Sequence, residues 1–435
     1  MAVFHRGSAA VTDVGAGFDA LSAGAGPVAR GSVARVGFAT AITAACGYAV
    51  LYLAARDLDP AGFSVFGVFW GAFGLVTGAA NGLLQESTRE VRAAVGRPGG
   101  SDGPQTHPMR VAAGVGLATA AVIAGTSPLW APHVFVEAGG LSVMLLSIGL
   151  GGFCLHATLL GMLAGTGQWT RYGSLMVTDA VIRVAIATAT FLLGWGLVGF
   201  LWATVGGAVA WILVLSVSSG ARMAAQLSTP GGVSKFLRGA SHSIAASGAS
   251  AILVMGFPVL LKATSGQLGA AGGVVILAVT LTRAPLLVPM TAMQGNLIAY
   301  FVDYRVDRRG ARLRALVRPA AMVLAVGALG VFAAGLAGPW LLRVAFGPEY
   351  QTSGALLAWL TAGAVSIAIL TLTGSATVAA ALHRAYSVGW VAATVAAALL
   401  LTLPLDLETR TVVALLCGPL VGITAHLAAL ARADR

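Results

Sequence analysis

The stretch "LMVTDAVIRVAIATATFLL", residues 175–193, decides the fold class, because it is apolar enough to lie in lipid although it contains Asp179 and Arg183. Comparable stretches recur along all 435 residues, of which 57% are hydrophobic and 9% are charged, and the mean hydropathy is +0.87. Soluble domains contain about 25% charged residues. Crossing about 30 Å of hydrocarbon takes about 20 apolar residues, and runs of this length leave no room for a separate soluble domain. The sequence therefore predicts an all-α polytopic membrane protein.

Apolar runs separated by polar connections predict about twelve transmembrane helices. The predicted spans are 33–53, 62–84, 110–128, 140–163, 173–193, 196–217, 241–262, 272–300, 315–338, 355–381, 386–403 and 411–431. An even division gives two six-helix bundles of the same orientation, as in transporters built from parallel repeats. We therefore expect a mobile cytoplasmic tail at 1–32, an N-terminal bundle at 33–217, a cytoplasmic linker at 218–240 and a C-terminal bundle at 241–431.

The distribution of positive charge predicts the orientation. Of the 26 lysine and arginine residues, 20 fall in the tails and in alternate connections, four fall in the other connections, and Arg183 and Arg283 lie inside spans. Because positively charged loops remain in the cytoplasm, both termini are predicted to be cytoplasmic, in the inner membrane of a bacterium. The net charge of +11 is therefore a topology signal, and no nucleic-acid partner is predicted. The three cysteines lack ligand spacing, so neither a metal nor a cofactor is expected.

Asp179 and Arg183 raise the question of why a membrane span carries two charges. An unpaired charge at the bilayer centre costs about 2.5–3.5 kcal/mol, so such groups need a partner or a cavity. The i, i+4 spacing, with the acid first, places the two side chains on one helical face in the favourable order. Two interpretations follow: a self-neutralising structural pair, or a pair that faces the substrate. Both turn this face away from lipid.

Arg283 has no such neighbour. It lies in "VTLTRAPLLVPM", residues 279–290, and its span contains no acid before Asp303 at the cytoplasmic end. Pro285 and Pro289 favour a kink whose free backbone groups need water or protein partners. We therefore expect a hydrated cavity with a cationic site; the alternative is pairing with Asp179 or with a carbonyl group of another helix. If Arg183 and Arg283 share one cavity, it suits an anion, since guanidinium groups match phosphate oxygens.

Other polar residues within the spans are weaker candidates. His156 and His426 are candidates for a proton relay, although a histidine that bonds a neighbouring helix is the simpler interpretation. Four amides on the second and eighth spans suit sugar contact or helix–helix hydrogen bonding equally well. These residues are Asn81, Gln85, Gln294 and Asn296.

Three longer stretches resemble a known family, the multidrug/oligosaccharidyl-lipid/polysaccharide (MOP) exporter superfamily, and in particular its O-antigen-type flippases. They are "ARDLDPAGFSVFGVFWGAFGLVTGAANGLLQESTREV" (55–91), "LAGTGQWTRYGSLMVTDAVIRVAIA" (163–187) and "RVAFGPEYQTSGALLAWLTAGA" (343–364). The second includes an arginine at the place of Arg183. The similarity extends over most of the chain in the same order.

The resemblance implies a MATE-like fold with two six-helix bundles around a central, often cationic cavity that opens alternately inward and outward. It implies that the protein is not an enzyme but a flippase for a polyprenyl-pyrophosphate-linked saccharide, whose lipid tail stays among the membrane lipids. Glycosyltransferases or a polymerase of the same pathway are the implied partners. Arg35 and Arg56 lie at the ends of the first span and not inside it. This difference from lipid II flippases, and the absence of an extra C-terminal helix pair, favour an O-antigen-like saccharide carrier.

The sequence leaves three alternatives to the flippase. A MATE-like exporter of small cations would be coupled through carboxylates within the membrane, and Asp179 is the sole buried candidate from sequence. A membrane glycosyltransferase that uses a polyprenyl-phosphate sugar would need acids such as Asp57 and Asp59 in its first outer loop. That loop is short, and Asp59 followed by Pro60 is also typical of a helix N-terminus. A scaffold within an envelope-assembly complex is a third reading of the same sequence.

Overall fold

A computed structural model describes residues 30–95, 103–135, 137–303 and 311–433. Within these ranges, side chains are described except at 30–34, 291–296, 298, 299, 302, 303, 311 and 312. The predicted tail, residues 1–32, lies outside the described residues except for its last three positions, which begin the first helix.

The first half of the chain consists of helices joined by short connections. They are α1 (Arg30–Asp57), α2 (Pro60–Val95), α3 (Pro108–Val134), α4 (Gly139–Gly165), α5 (Trp169–Leu193), α6 (Gly196–Gly206) and α7 (Ala210–Val217). A 3-10 turn, Gly207–Val209, joins α6 to α7, so that these two helices form one span, 196–217.

The second half is helical as well. Its helices are α8 (Ser219–Gln226), α9 (Val233–Val254), α10 (Phe257–Ala263), α11 (Gly269–Asp303), α12 (Ala311–Phe346), α13 (Gly354–Ala379), α14 (His383–Leu400) and α15 (Leu407–Ala433). Between α9 and α10 the chain bends by 68°. Pro258 accounts for the bend, because a proline in the first turn of α10 cannot donate a backbone hydrogen bond to the preceding helix.

The prediction of an all-helical membrane protein is confirmed, and each of the twelve predicted segments falls on a helix. Within the described ranges, ten helices are long and apolar enough to cross a membrane, and the bent pair α9–α10 makes eleven. The remaining predicted span corresponds to α14, which has 18 residues and begins with His383 and Arg384. At about 1.5 Å per residue, its length is about 27 Å, close to the thickness of the hydrocarbon core.

The predicted linker, 218–240, carries secondary structure. It contains α8, the short strand β2 (Thr229–Pro230) and the beginning of α9. The strand β2 pairs antiparallel with β1 (Gln105–Thr106), which lies in the connection between α2 and α3. The linker is therefore attached directly to the first half of the chain.

Helix packing repeats between the two halves. In the first half α1 packs on α5 and α2 packs on α4; in the second half α9 packs on α14 and α11 packs on α13. Likewise, α3 packs on α4 as α12 packs on α13, and α5 packs on α6 as α14 packs on α15. This correspondence is that of a parallel structural repeat, in which two copies of one helix arrangement face each other across an interface.

The interface between the halves is asymmetric. Helix α2 packs extensively on α9, whereas α1 and α11, the corresponding pair in the repeat, make only a short contact. Along the α2–α9 contact, Gly78 lies against Ala251 and Gly82 lies against Ile244, since small residues let helix backbones approach closely in membranes. One side of the interface is therefore tightly packed and the other side is loosely packed.

The outer end of the interface, on the face that the charge distribution predicts to be extracytoplasmic, is also closed. Tyr350, in the connection between α12 and α13, is buried, and its hydroxyl donates a 3.2 Å hydrogen bond to the carbonyl oxygen of Leu58. Its ring contacts those of Phe63 and Phe346. Burial, together with Asp59 and Glu349, raises the pKa of Tyr350 above its ordinary value, so the hydroxyl remains a donor.

Candidate functional site

Arg283 lies on α11 beside the bend between α9 and α10. Helix α9 ends at Val254, so its last carbonyl groups have no partner within the helix. The Nη1 atom of Arg283 donates to the carbonyl oxygens of Val254 at 3.0 Å and of Leu253 at 3.4 Å. The guanidinium also lies over the ring of Phe257, 5.0 Å from its centroid. Arg283 thus caps the broken helix. This contact is the pairing with a carbonyl group of another helix that the sequence offered as the alternative to a ligand site.

The rest of the guanidinium is not satisfied. Arg283 is 7% exposed, and its Nε and Nη2 atoms have no hydrogen-bond partner among the described residues. Buried guanidinium groups normally bond all their donors, because an unpaired buried charge is costly. Two charged donors are therefore left without an acceptor in the described structure.

Arg283 is also one of the residues that line a cavity between the two halves. The cavity has a volume of about 140 Å³ and is lined by α1, α2, α9, α10 and α11. The first half contributes the aromatic residues Tyr48, Phe63 and Trp70, and the second half contributes Thr280 and Arg283. A water molecule occupies about 30 Å³ in the liquid, so the cavity has room for a few waters or a single phosphate group. The site combines one cation with aromatic and apolar walls.

Asp179 and Arg183 form the predicted ion pair. Oδ1 of Asp179 accepts from Nε of Arg183 at 3.2 Å and from Nη2 at 3.1 Å. The side chains are 12% and 15% exposed, and the guanidinium lies over the ring of Phe73 at 5.4 Å. The pair packs on Gly207, where a Cβ atom would overlap both charged groups. Helix α6–α7 therefore approaches the pair at a position that only glycine can occupy.

The structure places the two arginines in different environments. Arg183 is bonded to an acid within the first half of the chain, and neither Arg183 nor Asp179 is among the residues that line the cavity at Arg283. A shared cavity for Arg183 and Arg283 stays a prediction, and it requires a state in which the halves are arranged differently.

The two candidate relay histidines also differ. His426 is fully bonded: Nδ1 lies 3.0 Å from Oγ1 of Thr373, and Nε2 lies 3.2 Å from the carbonyl oxygen of Tyr386. His156 is buried, stacks on Phe153 and lies within electrostatic range of Asp179 and Arg183, while its Nδ1 atom has no partner in the described part of the chain. Of the two, only His156 keeps an atom free for proton transfer.

Two of the four candidate amides can be placed. Gln85 is exposed on α2, and its Nε2 atom donates a 3.1 Å hydrogen bond to Oγ of Ser247 on α9. Asn81 is partly exposed one turn earlier on the same helix. Gln85 therefore makes the helix–helix hydrogen bond that was one of its two interpretations. The side chains of Gln294 and Asn296 lie outside the described residues.

The two acids of the glycosyltransferase alternative lie in a very short connection. Helix α1 ends at Asp57 and α2 begins at Pro60, so the connection consists of Leu58 and Asp59 alone. Oδ1 of Asp59 accepts a 2.6 Å hydrogen bond from the backbone N–H of Gly62. Asp59 is therefore an N-terminal cap of α2, which accounts for an acid at this position.

The prediction that Asp179 is the sole buried carboxylate is wrong. Helix α2 continues to Val95, eleven residues beyond the predicted end at 84. On this extension Glu86 is 2% exposed and Glu90 is 8% exposed. The signal was present in "QESTREVR", residues 85–92, where two glutamates are spaced i, i+4, but the polar composition resembles that of a connection.

Comparison with known proteins gives close relatives and a fold. The chain is 69% identical over 431 residues to a Mycobacterium tuberculosis protein named "Uncharacterized protein Rv3630", covering 98% of this chain and 99% of the relative. It is 70% identical over 431 residues to "Uncharacterized protein Mb3654" of Mycobacterium bovis, with the same coverage. A second M. tuberculosis protein, "Uncharacterized protein Rv1510", is 67% identical over 422 residues, 97% of this chain and 96% of the relative. No protein-family model matches the chain.

Solved structures with the same fold are transporters. An inward-facing multidrug resistance MATE family transporter of the MOP superfamily superposes with a TM-score of 0.69 at 16% identity, covering 90% of this chain and 95% of the transporter. A MOP superfamily transporter from Pyrococcus furiosus, described as having a binding pocket of reverse polarity, gives a TM-score of 0.62 at 14% identity, covering 93% and 96%. The predicted MATE-like fold is therefore confirmed.

Proposed function

The chain belongs to the protein family that includes Rv3630 and Rv1510 of Mycobacterium tuberculosis, and we propose that it is an exporter of an anionic, lipid-linked saccharide. The transporter fold supports a membrane exporter that works by alternating access. The polyprenyl-pyrophosphate-linked saccharide is the finer part of the proposal, and the setting is envelope polysaccharide synthesis at the bacterial cytoplasmic membrane.

The observation that carries the proposal is the pair of free donors on Arg283. The guanidinium is buried at the interface between the halves and is bonded only through Nη1, while Nε and Nη2 remain without partners in the described structure. These two atoms form one edge of the guanidinium fork, the edge that matches two oxygens of a phosphate. An anion is therefore the ligand that this site satisfies best.

The surroundings of Arg283 favour a ligand with an apolar part. Aromatic side chains from α1 and α2 line the same cavity as Arg283, and aromatic faces are suited to stacking against sugar rings. Since α1 and α11 touch only briefly, a polyprenyl tail has a route from the cavity into lipid between these two helices. Ligand pockets usually have volumes of roughly 300 Å³ or more, whereas this cavity has about 140 Å³. The halves must therefore separate before a saccharide enters.

Translocation in proteoliposomes tests the proposal. The probe is a short-chain polyprenyl-pyrophosphate N-acetylglucosamine with a fluorophore on the sugar, and dithionite added outside reports the fraction of probe in the outer leaflet. Arg283→Gln is expected to slow translocation by about tenfold or more, because a hydrogen bond to a charged group contributes about 1.5–3 kcal/mol. Arg343→Gln, which removes an exposed arginine on α12, is the matched control and should keep the wild-type rate.

The control fixes the interpretation of each result. Equal rates for the wild type and for Arg283→Gln would contradict the proposal, provided that both proteins reconstitute to the same level. Slow translocation in Arg343→Gln as well would indicate a general effect of positive charge and would contradict a specific site at Arg283.

A second candidate function, export of a small cation, is favoured by the two buried glutamates on α2. Carboxylates buried within a membrane transporter commonly mark ion or substrate pathways, and Glu86 and Glu90 were not anticipated. The same vesicles distinguish the two functions when ethidium is the probe. A cation exporter should lose ethidium transport in Glu86→Gln and keep it in Arg283→Gln. A saccharide exporter should transport no ethidium even as the wild type and should lose transport of the lipid-linked probe in Arg283→Gln.

A further inference from the structure

The inner ends of α2 and α9, on the face that the charge distribution predicts to be cytoplasmic, are joined by a cluster of charges. Nη2 of Arg89 lies 2.6 Å from Oε1 of Glu86 and 3.1 Å from Oε1 of Glu90. Nζ of Lys235, on the first turn of α9, lies 3.5 Å from Oε2 of Glu90. The glutamates are buried while Arg89 and Lys235 reach solvent, with side chains 62% and 59% exposed. Lys235 therefore carries the charge network across the interface between the halves.

The backbone of α9 lies directly on this network. Gly239 faces the carboxylate of Glu86, and a Cβ atom at this position would overlap the carboxylate oxygens. Further along, Gln85 donates to Ser247 across the same contact. The seal between α2 and α9 is thus continuous from the charged end toward the bend at Val254.

The antiparallel pair β1–β2 provides a second connection between the beginning of α9 and the first half of the chain. Thr106 and Thr229 are register partners in β1 and β2, and β2 ends three residues before α9 begins. Oγ1 of Thr106 donates to the carbonyl oxygen of Gly231 at 2.7 Å, and the backbone N–H of Gly231 donates to the carbonyl oxygen of Pro104 at 2.8 Å. Both partners, Thr106 and Pro104, belong to the connection that follows α2.

The residues that follow α10 are bonded to the second half of the chain. Arg410 on α15 donates through Nη1 to the carbonyl oxygen of Thr264 at 3.3 Å and through Nη2 to Oγ of Ser265 at 2.8 Å. These two residues immediately follow α10, so the chain passes from contacts with α2 to contacts with α15 at this turn. Helix α10 itself packs on α2 and α3 and makes only a slight contact with α9.

We propose that Glu86, Arg89, Glu90, Lys235 and the β1–β2 pair form a clasp that holds α9 against the first half of the chain throughout the transport cycle. The boundary between the two moving bodies then lies at the turn after α10, and not in the linker 218–240 where the sequence alone would divide the chain. The halves separate on the α1–α11 side, the hinge lies at the turn after α10, and the α2–α9 contact stays closed. This proposal rests on the proposed exporter function, since it concerns the motion that drives transport.

A disulfide across the α2–α9 contact tests whether this contact ever opens. A Cβ atom at Gly248 would lie 3.4 Å from Cβ of Ala79, close to the roughly 3.5–4.5 Å of natural disulfides. In a background without Cys46, Cys154 and Cys417, the Ala79→Cys/Gly248→Cys protein should cross-link completely on oxidation and should translocate the lipid-linked probe equally fast before and after oxidation. Transport that stops on oxidation and returns on reduction would overturn the proposal, because the contact would then have to open.

The charged part of the clasp is tested without any substrate. In the same background, Thr106→Cys/Thr229→Cys reports how often β1 and β2 meet. Lys235→Glu, which places a third acid beside Glu86 and Glu90, should slow cross-linking of this pair by about fivefold, the ratio that corresponds to an ion pair of moderate exposure. The charge exchange Glu90→Lys/Lys235→Glu should restore the original rate.

Arg238→Glu is the matched control, because Arg238 is exposed on the same turns of α9 and its side chain has no ion pair in the described part of the chain. An unchanged cross-linking rate in Lys235→Glu, or an equal decrease in Arg238→Glu, would overturn the clasp. If Lys235→Glu does not fold, Lys235→Gln replaces it, with a smaller decrease in the same direction. Because cross-linking needs no substrate, its result stands even if the exporter function proves wrong.

Discussion

The two arginines at membrane depth differ in what surrounds them. Arg183 shares Oδ1 of Asp179 through two hydrogen bonds, and this pair is neutral. Arg283 bonds only to the carbonyl oxygens of Leu253 and Val254, so its charge is not compensated by an acid in the described structure. A buried arginine that is paired with an acid, such as Arg183, needs no further explanation than its structural role. A buried arginine that bonds carbonyl groups through one nitrogen and has two unpaired donors, such as Arg283, is suited to binding a ligand.

The largest loss of stability is expected when the Asp179–Arg183 ion pair is broken. Asp179→Asn leaves Arg183 buried without an acid, and breaking a buried pair by removing one partner destabilises a protein by about 3 kcal/mol or more. Denaturant titration in mixed micelles should therefore show a large loss of stability. A change below about 1 kcal/mol would indicate that water reaches Arg183 and that the pair is not buried as described.

Gly207→Ala tests the same site from the opposite helix. The new methyl group would overlap both charged side chains, so α6–α7 must shift, and overpacking of this kind costs roughly 1–3 kcal/mol. Gly114→Ala is the matched control, because a Cβ atom there meets nothing within 4 Å. The same titration should show destabilisation for Gly207→Ala and none for Gly114→Ala, since alanine is the better helix former. Equal behaviour of the two variants would contradict the close packing at Gly207.

Removing both members of the pair should cost less than removing one. Asp179→Asn/Arg183→Gln leaves no unpaired charge, so its stability should lie within about 1 kcal/mol of the wild type. The double-mutant cycle measures the coupling between the two side chains. Additive losses would mean that the two side chains do not interact and would remove the distinction between the two arginines.

The smallest effect on stability is expected at Arg283. Arg283→Gln loses bonds to two carbonyl groups but also removes an uncompensated buried charge, and these terms oppose each other, leaving a change of less than about 1 kcal/mol. Titration under the same conditions checks this. A loss of stability as large as that of Asp179→Asn would assign Arg283 a purely structural role, and the two arginines would then no longer differ in function.

The positions of the spans could be predicted from sequence because hydropathy alone determines them. The polar extension of α2 was missed because its exposed and buried residues alternate with helical spacing, and a hydropathy average over such a segment is low. The packing of α9 on α2 buries Glu86 and Glu90, and this contact depends on residues far apart in the chain. The separation of Arg183 from the cavity at Arg283 has the same origin, since the rotation of each helix is set by its neighbours.

The break between α9 and α10 did have a local signal. Gly256, Phe257 and Pro258 combine a flexible residue with a proline that suits the first turn of a new helix. The kink that the sequence predicts at Pro285 and Pro289 falls inside α11, which is assigned as one helix. A proline pattern predicts where a backbone donor is missing, and at Pro258 this position coincides with the 68° bend.

Binding of a polyprenyl pyrophosphate is the most direct test of the claim that Arg283 provides free donors to an anion. Geranylgeranyl pyrophosphate should raise the thermal unfolding midpoint of the wild-type protein, because a ligand that binds only the folded state stabilises it. Geranylgeraniol, which lacks the phosphates, should have little effect. The account predicts that the shift caused by the pyrophosphate is lost in Arg283→Gln and kept in Arg343→Gln. An equal shift in the wild type and in Arg283→Gln would contradict it.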